Sequence, residues 1–438
     1  MSADLLDKAA KAVDMLQASG ADEAWASVTQ VREVEFNYRD GELEKVQDTT
    51  AQGMVVQVYA NGRYSMHQTT DLHEARLQGF LTEAVAITGA LEPDPSRQIT
   101  PAELFAERPT RALELLDGQV ATLDRDQRIA WCVAMDDTAR DHERVISATS
   151  RVRTGAQVEA AVSSNGFSGT EEATHCILSS NVTLRDRGDR RAADGFAAVA
   201  RHVSDIPEAS VIGTTALERA LVRLDADKGP TLKGTMVVDS RAAAQLIGRL
   251  MGSANARLVQ QGRSFWAELI AEQAFSPSLT IVDDPLIVRG LASRHFDSEG
   301  ISAKVLPIVS DGVVENIYVD TYYGRKASLA PTTGSASNRV VKPGTRSLDE
   351  LLADANAGVY VTSWLGGNAD STTGDFSLGI RGHMIENGKI GRPVGEMNVT
   401  GNLRDLFLQL DVVGNDPYPY SSTLAPSLVF SNVDFSGA

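Results

Sequence analysis

Apolar positions in the first twenty residues fall on one helical stripe: Leu5, Leu6, Ala9, Val13 and Leu16, with Gly20 placed as a stop. The period then shortens. "VREVEFNYRDGELEKVQ" alternates on both sides of Asp40-Gly41, and "GMVVQVYANGRYSMHQT" on both sides of Asn61-Gly62. Such pairs suit two-residue hairpin turns, whose central residues both need positive φ. A helical period returns from Thr70-Asp71 to about Thr88, and four prolines make 89–110 a crossing loop. Residues 118–142 read as helix, 144–203 as strands with a turn at Asn165-Gly166, and 207–224 as helix.

The polar, Gly- and Pro-containing stretch 225–234 divides the chain into 1–225 and 226–438. Beyond it "TMVVDS" reads as a strand and 241–259 as one helix. From about residue 280 alternation dominates, with turns at Asp311-Gly312 and Asn387-Gly388 and a last strand in "APSLVFSNVDFSGA". Residues 323–345 form a long, weakly patterned loop, a kind often tied to function or disorder. No short-period repeat occurs. The expected class is α+β: a mixed α/β N-terminal domain, then a C-terminal domain dominated by antiparallel β-sheet.

Charge narrows the partners. The chain has 41 basic and 58 acidic residues, for a formal charge of −17. That surface repels phosphate backbones and anionic lipid, which argues against nucleic acid and membrane as partners. Cys132 and Cys176 both sit in apolar stretches, so a reducing compartment is expected. The first residues, with Asp4, Asp7 and Asp14, read as an amphipathic helix rather than a secretion signal. No run of 18 apolar residues occurs, and the expected setting is the cytoplasm.

His73-Glu74 resembles the first half of a helical zinc motif, which needs a second histidine about one turn later. The +4 and +5 positions are Leu77 and Gln78. His142-Glu143 fails in the same way, at Ile146 and Ser147. His73 instead reads as a first-turn residue bordering the stripe of Leu77, Phe80 and Ala84. The chain has no phosphate loop, and "GFSGT" lacks the last glycine of a nucleophile elbow. Neither cysteine has an electropositive setting in sequence, so both read as structural thiols. Asp283, Asp284, Asp297 and Glu299 cluster in sequence; they read as turn caps pairing with Arg289 or Arg294, and less readily as an acid–base pair.

Three longer blocks carry more. "VDDPLIVRGLASRHFDSEGISAKVLPIVSDGVVENIYVD" (282–320), "YVTSWLGGNADSTTGDFSLGIRGHMIENGKIGRPVGEMNVTGN" (360–402) and "VVGNDPYPYSSTLAPSLVFSNVDFSG" (412–437) resemble the TldD/TldE (PmbA) family. One branch of that family is catalytic, with a helical H-E-x-x-x-H and a later cysteine ligand; the TldE/PmbA branch lacks these ligands and pairs with the catalytic chain. The resemblance places the zinc helix at 242–258, where Gly248, Arg249 and Ser253 stand in for His, Glu and His. No histidine lies between His202 and His295, and no cysteine follows Cys176.

The resemblance therefore implies a non-catalytic subunit that forms a heterodimer with a TldD-like zinc peptidase and holds no cofactor of its own. The partner would supply zinc, and the pair would cleave small unstructured or modified peptides, as in peptide-antibiotic maturation, in a shared cleft. Gly366, Gly367 and Gly374, with Arg294, Asp297 and Glu299 and the loop 323–345, are the expected cleft or interface elements. Two other readings stay open. One is a stand-alone homodimeric modulator that binds peptides or proteins, related to gyrase or toxin–antitoxin systems. The other is a hydrolase seeded by His295 beside Asp297 and Glu299.

Overall fold

The computed structural model describes residues 2–437. The opening stripe forms helix α1 (Ser2–Ala18), which buries Leu5, Ala9, Ala12, Val13 and Leu16. Three strands follow, β1 (Glu23–Arg39), β2 (Glu42–Ala60) and β3 (Arg63–Thr69), then helix α2 (Glu74–Gly89). Helix α2 starts later than expected. The Asp71 carboxylate accepts the His73 N–H at 3.2 Å, which leaves His73 as the exposed N-cap before the first turn. The expected helix 118–142 is two, α3 (Gly118–Thr122) and α4 (Arg125–Arg140), because Asp124 turns out of the helix to cap Gln127. Strands β4 (Val145–Ser163), β5 (Ser168–Arg185) and β6 (Arg191–Ala200) and helix α5 (Ala209–Leu221) complete this part.

These six strands make one antiparallel sheet in the order β3-β2-β1-β4-β5-β6. Alternation decides its two faces. Ala24, Ala26 and Val28 pack with α1 and α2, and Val34, Phe36 and Tyr38 pack with α4 and α5. The other face is polar: Glu33 and Glu35 pair with Arg153 and Arg151. At one end of it Trp25 and Phe167 stack with ring centroids 4.7 Å apart.

The next strands are β7 (Asp227–Lys228) and β8 (Leu232–Val238). The single helix expected over 241–259 is broken into α6 (Ser240–Met251) and α7 (Ala256–Gln260). The break is set from outside: Ala254 O accepts the Tyr318 N–H at 2.9 Å, and Tyr318 O accepts the Ala256 N–H at 2.8 Å. Asn255 then caps α7 through Leu258 N–H. After β9 (Ile281–Asp283), β10 (Leu306–Ser310) and β11 (Val313–Val314), the expected loop 323–345 proves partly regular. Helix α8 (Thr321–Ala327) enters it and β12 (Arg339–Val341) leaves it.

Helix α9 (Leu348–Ala355), strands β13 (Ala357–Ala369), β14 (Asp375–Glu386) and β15 (Lys389–Asn402), helix α10 (Leu403–Leu408) and strands β16 (Leu410–Val413), β17 (Thr423–Leu424) and β18 (Leu428–Ser436) follow. One sheet runs β11-β10-β9-β12-β17. The other runs β16-β18-β8-β13-β14-β15-β7, and β15 also pairs with β18, so β18, β8, β13, β14 and β15 close a ring. Most pairings are antiparallel; β13 runs parallel to β8. The largest core fills this region, with Trp266, Phe275, Phe407 and Phe430 fully buried. The architecture is α+β, as expected.

Four hairpin turns have positive φ at both central residues: Asp40-Gly41, Asn61-Gly62, Asp311-Gly312 and Asn387-Gly388. At Asn165-Gly166 only the glycine does among the two. Gly300 has a different task. It sits at φ +81°, and a Cβ there would lie 2.8 Å from Phe167 and 2.9 Å from Trp25. Through it the C-terminal half reaches the aromatic end of the first sheet, where Phe167 and Phe296 meet edge to face at 5.1 Å. Gly300→Ala should therefore destabilise the chain by about 2 kcal/mol, from backbone strain and ring displacement. Chemical denaturation measures it, and an unchanged midpoint would contradict this packing.

Candidate functional site

Helix α6 lies at the centre of the C-terminal core. Its N-cap Asp239 accepts the Arg241 N–H, and its inner face buries Ala242, Ala243, Leu246, Ile247, Leu250 and Met251. The Trp266 indole donates to Leu250 O at 3.0 Å, satisfying a carbonyl at the open end of the helix. Gly248 faces open space: beyond its chain neighbours and the backbone of its own helix, no atom lies within 4 Å of where its Cβ would stand. Arg249 is half-buried, and its Nε finds no acceptor among the described residues. Ser253 is buried beyond the end of α6, in the break before α7. Glycine offers no donor atom, and an arginine stays cationic and can neither bind zinc nor take a proton. These residues do not fit a zinc ion. Among the described residues, no three His, Cys, Asp or Glu side chains converge as a metal site elsewhere.

Beside the far end of α6, a pocket of about 300 Å³ opens between Met251, Asn255 and Arg257 on one side and Gly334, Ser335 and Ala336 on the other. The second wall belongs to the weakly patterned loop 323–345, and three charged side chains fasten it. Asp297 is 4% exposed. Its Oδ1 accepts the Glu299 and Ile301 N–H groups at 2.9 and 3.0 Å, and its Oδ2 accepts the Thr333 hydroxyl and the Gly334 N–H, both at 2.9 Å. Asp283 is equally enclosed; it accepts the Tyr318 hydroxyl and the Ser337 N–H at 2.8 Å, and the Ser337 hydroxyl as well. Arg294 donates to Thr333 Oγ1, to Ser335 Oγ and O, and to Ala336 O.

The expectation for these carboxylates is turn capping together with pairing to Arg289 or Arg294; Asp297 does cap its own turn. In the fold their partners are amides and hydroxyls, and Arg289 pairs instead with Glu114 and Asp205, at 2.9 and 3.0 Å. Asp284 caps Leu286 N–H at 2.8 Å, the turn role expected of it. Glu299 accepts Thr321 N–H and hydroxyl at the start of α8. The carboxylates of Asp297 and Glu299 and the two terminal nitrogens of Arg294 are thus taken up within the chain.

The remaining candidates lie apart. Gly366 and Gly367 are exposed at a bulge in β13, where Gly367 has φ +98° and a Cβ would meet Ser377 O at 2.0 Å. Gly374 turns the chain into β14. No hydrogen bond joins these glycines to Arg294, Asp297 or Glu299 among the described residues. His295 faces away from Asp297: its Nε2 meets Arg111 O at 2.9 Å, and its Nδ1 lies 3.6 Å from Glu171 on the first sheet. Burial pushes the Cys132 and Cys176 thiols up to about 12, so both stay protonated and unreactive at neutral pH.

Sequence reasoning passed over a second carboxylate group. Glu159 and Glu171 face each other across β4 and β5. Burial raises both above the ordinary glutamate range, as it does Glu299. Only their cross-strand register, which follows from the Asn165-Gly166 turn, could have revealed the pair.

Two family models match the chain. The PmbA/TldA metallopeptidase central domain covers residues 119–224, and the PmbA/TldA metallopeptidase C-terminal domain covers 231–437. The metalloprotease PmbA of Escherichia coli O157:H7 is 27% identical over 437 residues, spanning 99% of this chain and 96% of its own length. A metalloprotease TldD homolog of Haemophilus influenzae is 22% identical over 358 residues, 76% of this chain and 73% of its own. A crystal structure from Bacteroides thetaiotaomicron, described as a candidate modulator of DNA gyrase, superposes with a TM-score of 0.96 at 34% identity, covering 99% of this chain and 98% of that one. TldE from Thermococcus kodakarensis shares the fold, with a TM-score of 0.87 at 14% identity over 98% of this chain and 100% of its own.

Two measurements test the electrostatics. Asp297→Ala leaves four donors without their acceptor and should cost about 3 kcal/mol. Faster amide exchange at Gly334 than in the native chain would report the freed loop, and native protection there would refute the bracing role. For Glu159, the folded value lies above the unfolded one. The proton it retains stabilises the fold fully below the ordinary glutamate range, and that contribution is lost as pH rises through the raised value. Glu159→Gln should therefore raise the melting temperature at pH 7.5, with the gain shrinking toward pH 4. A loss, or a gain independent of pH, would contradict the assignment.

Proposed function

Because this chain belongs to the PmbA/TldD metallopeptidase family, we propose that it is a non-catalytic, TldE/PmbA-like subunit that pairs with a TldD-like zinc peptidase. The observation that carries this reading is the donor set on and after α6. Gly248, Arg249 and Ser253 offer neither a ligand pair for zinc nor a general base. In the proposed complex, zinc and the proton-transfer groups come from the partner, and this chain contributes walls. A rigid second subunit excludes folded proteins from a cleft and admits extended peptides. The exposed bulge at Gly366 and Gly367, and the braced loop through Gly334, are the elements proposed to line the shared cleft. The substrates are small unstructured or modified peptides, held chiefly through their main chains.

The test is reconstitution. Purified alone, the chain should carry no stoichiometric zinc and leave an unstructured peptide intact. Co-expressed with the TldD-like protein of the same genome, it should co-purify as a heterodimer with zinc bound and peptide hydrolysis restored. Stoichiometric zinc together with hydrolysis by the chain alone would sink the proposal. So would full activity of the TldD-like protein without this chain.

A further inference from the structure

The first sheet and the ring of strands do not close against one another along their whole length. Where β6 faces β13, β14 and β15, a cavity of about 460 Å³ remains. Its wall carries Arg190, Arg191, Arg223, Lys228 and Arg381, against the carboxylates of Asp186, Asp227 and Glu396. A cation-rich cavity runs against the −17 charge of the chain, so it is not an average patch of this surface.

Pairing among the described residues leaves two of these arginines over. Asp194 holds Arg223 at 2.5 Å, Asp186 and Asp227 hold Arg190 at 3.7 and 3.8 Å, and Glu396 lies 3.5 Å from Lys228. Arg191 and Arg381 are exposed, and their side chains make no ion pair or hydrogen bond with any described residue.

The backbone beside them is also unclaimed among the described residues. Strand β6 is the edge of its sheet. Farther along, side chains cap that edge: Gly195 O accepts from Arg219 and Arg241 at 3.3 and 3.4 Å, and Ala197 O accepts from the Tyr418 hydroxyl at 3.1 Å. Outward-facing positions alternate along an antiparallel strand. Arg191 and Ala193 therefore also turn their N–H and C=O outward, and both residues line the cavity.

We propose that this cavity binds an extended peptide segment ending in a free α-carboxylate. The peptide main chain pairs with β6 at Arg191 and Ala193, and the Arg191 and Arg381 guanidinium groups receive the carboxylate. A guanidinium offers parallel N–H donors that match a carboxylate's two oxygens, and an edge strand offers main-chain bonds indifferent to sequence. Together they select a chain end rather than a side-chain pattern. The site lies wholly on this chain, so it stands or falls independently of the proposed heterodimer.

Fluorescence anisotropy on the full chain tests it, using an N-terminally fluorescein-labelled neutral hexapeptide as free acid and as C-terminal amide. The acid should bind at least about tenfold more tightly than the amide. Arg191→Gln and Arg381→Gln, both with native melting temperatures, should bring the acid toward the amide. Ala193→Pro, which removes an edge N–H, should weaken both peptides. Inorganic phosphate, the free-anion probe, should compete only at concentrations far above that of the peptide. Equal binding of acid and amide would overturn the proposal, as would native affinity in natively melting R191Q and R381Q. Native affinity in A193P would remove the strand pairing. Phosphate competing at peptide-like concentrations would mark a free-anion site and also overturn it.

Discussion

Asp297 is nearly out of water, and each of its carboxylate oxygens takes two donors from the chain. An isolated buried carboxylate costs several kcal/mol, so those donors are a condition of the fold and not an ornament. Two of them belong to its own turn, which presents Gly300 to the rings of Trp25 and Phe167. The other two belong to the loop around Gly334, from which Ser337 reaches Asp283. One desolvated charge thus fixes a turn, a loop and, through the turn, the contact between the first sheet and the rest of the chain.

The rigidity this creates surrounds α6, a helix with its inner face packed and no metal donors at Gly248 or Arg249. In the proposed complex such a scaffold would form one wall of the cleft. Two histidines are held inside the fold. His295 is turned to Arg111 and Glu171, and burial and the nearby Arg223 hold His383 below its ordinary pKa. Charge is sorted instead between surfaces: raised glutamates lie between β4 and β5, and unpaired arginines lie beside β6.

Local chemistry made part of this legible. Asp40-Gly41 and Asn387-Gly388 read as turns because few residue pairs tolerate two positive φ angles in succession. The α1 stripe was legible because a helix repeats every 3.6 residues whatever packs against it. The blocks 282–320, 360–402 and 412–437 carry the resemblance to the family. The break between α6 and α7 was not visible, since Tyr318, far along the chain, supplies the backbone groups that cause it. Nor was the order in 323–345 visible: its anchors are amides and hydroxyls, which carry no sequence signature, and the expected arginine pairing of Asp283 and Asp297 did not arise.

By itself, then, the sequence determined the class of fold, the hairpin turns, the net negative charge and the glycine, arginine and serine at positions 248, 249 and 253. Each of these follows from residue identity and short-range geometry. Only the tertiary structure decided where α6 ends, which groups surround Asp283 and Asp297, that Glu159 opposes Glu171, and that Arg191 and Arg381 share a cavity without partners among the described residues. Those depend on which segments meet across long separations in the chain, and on how much water each charge loses when they do.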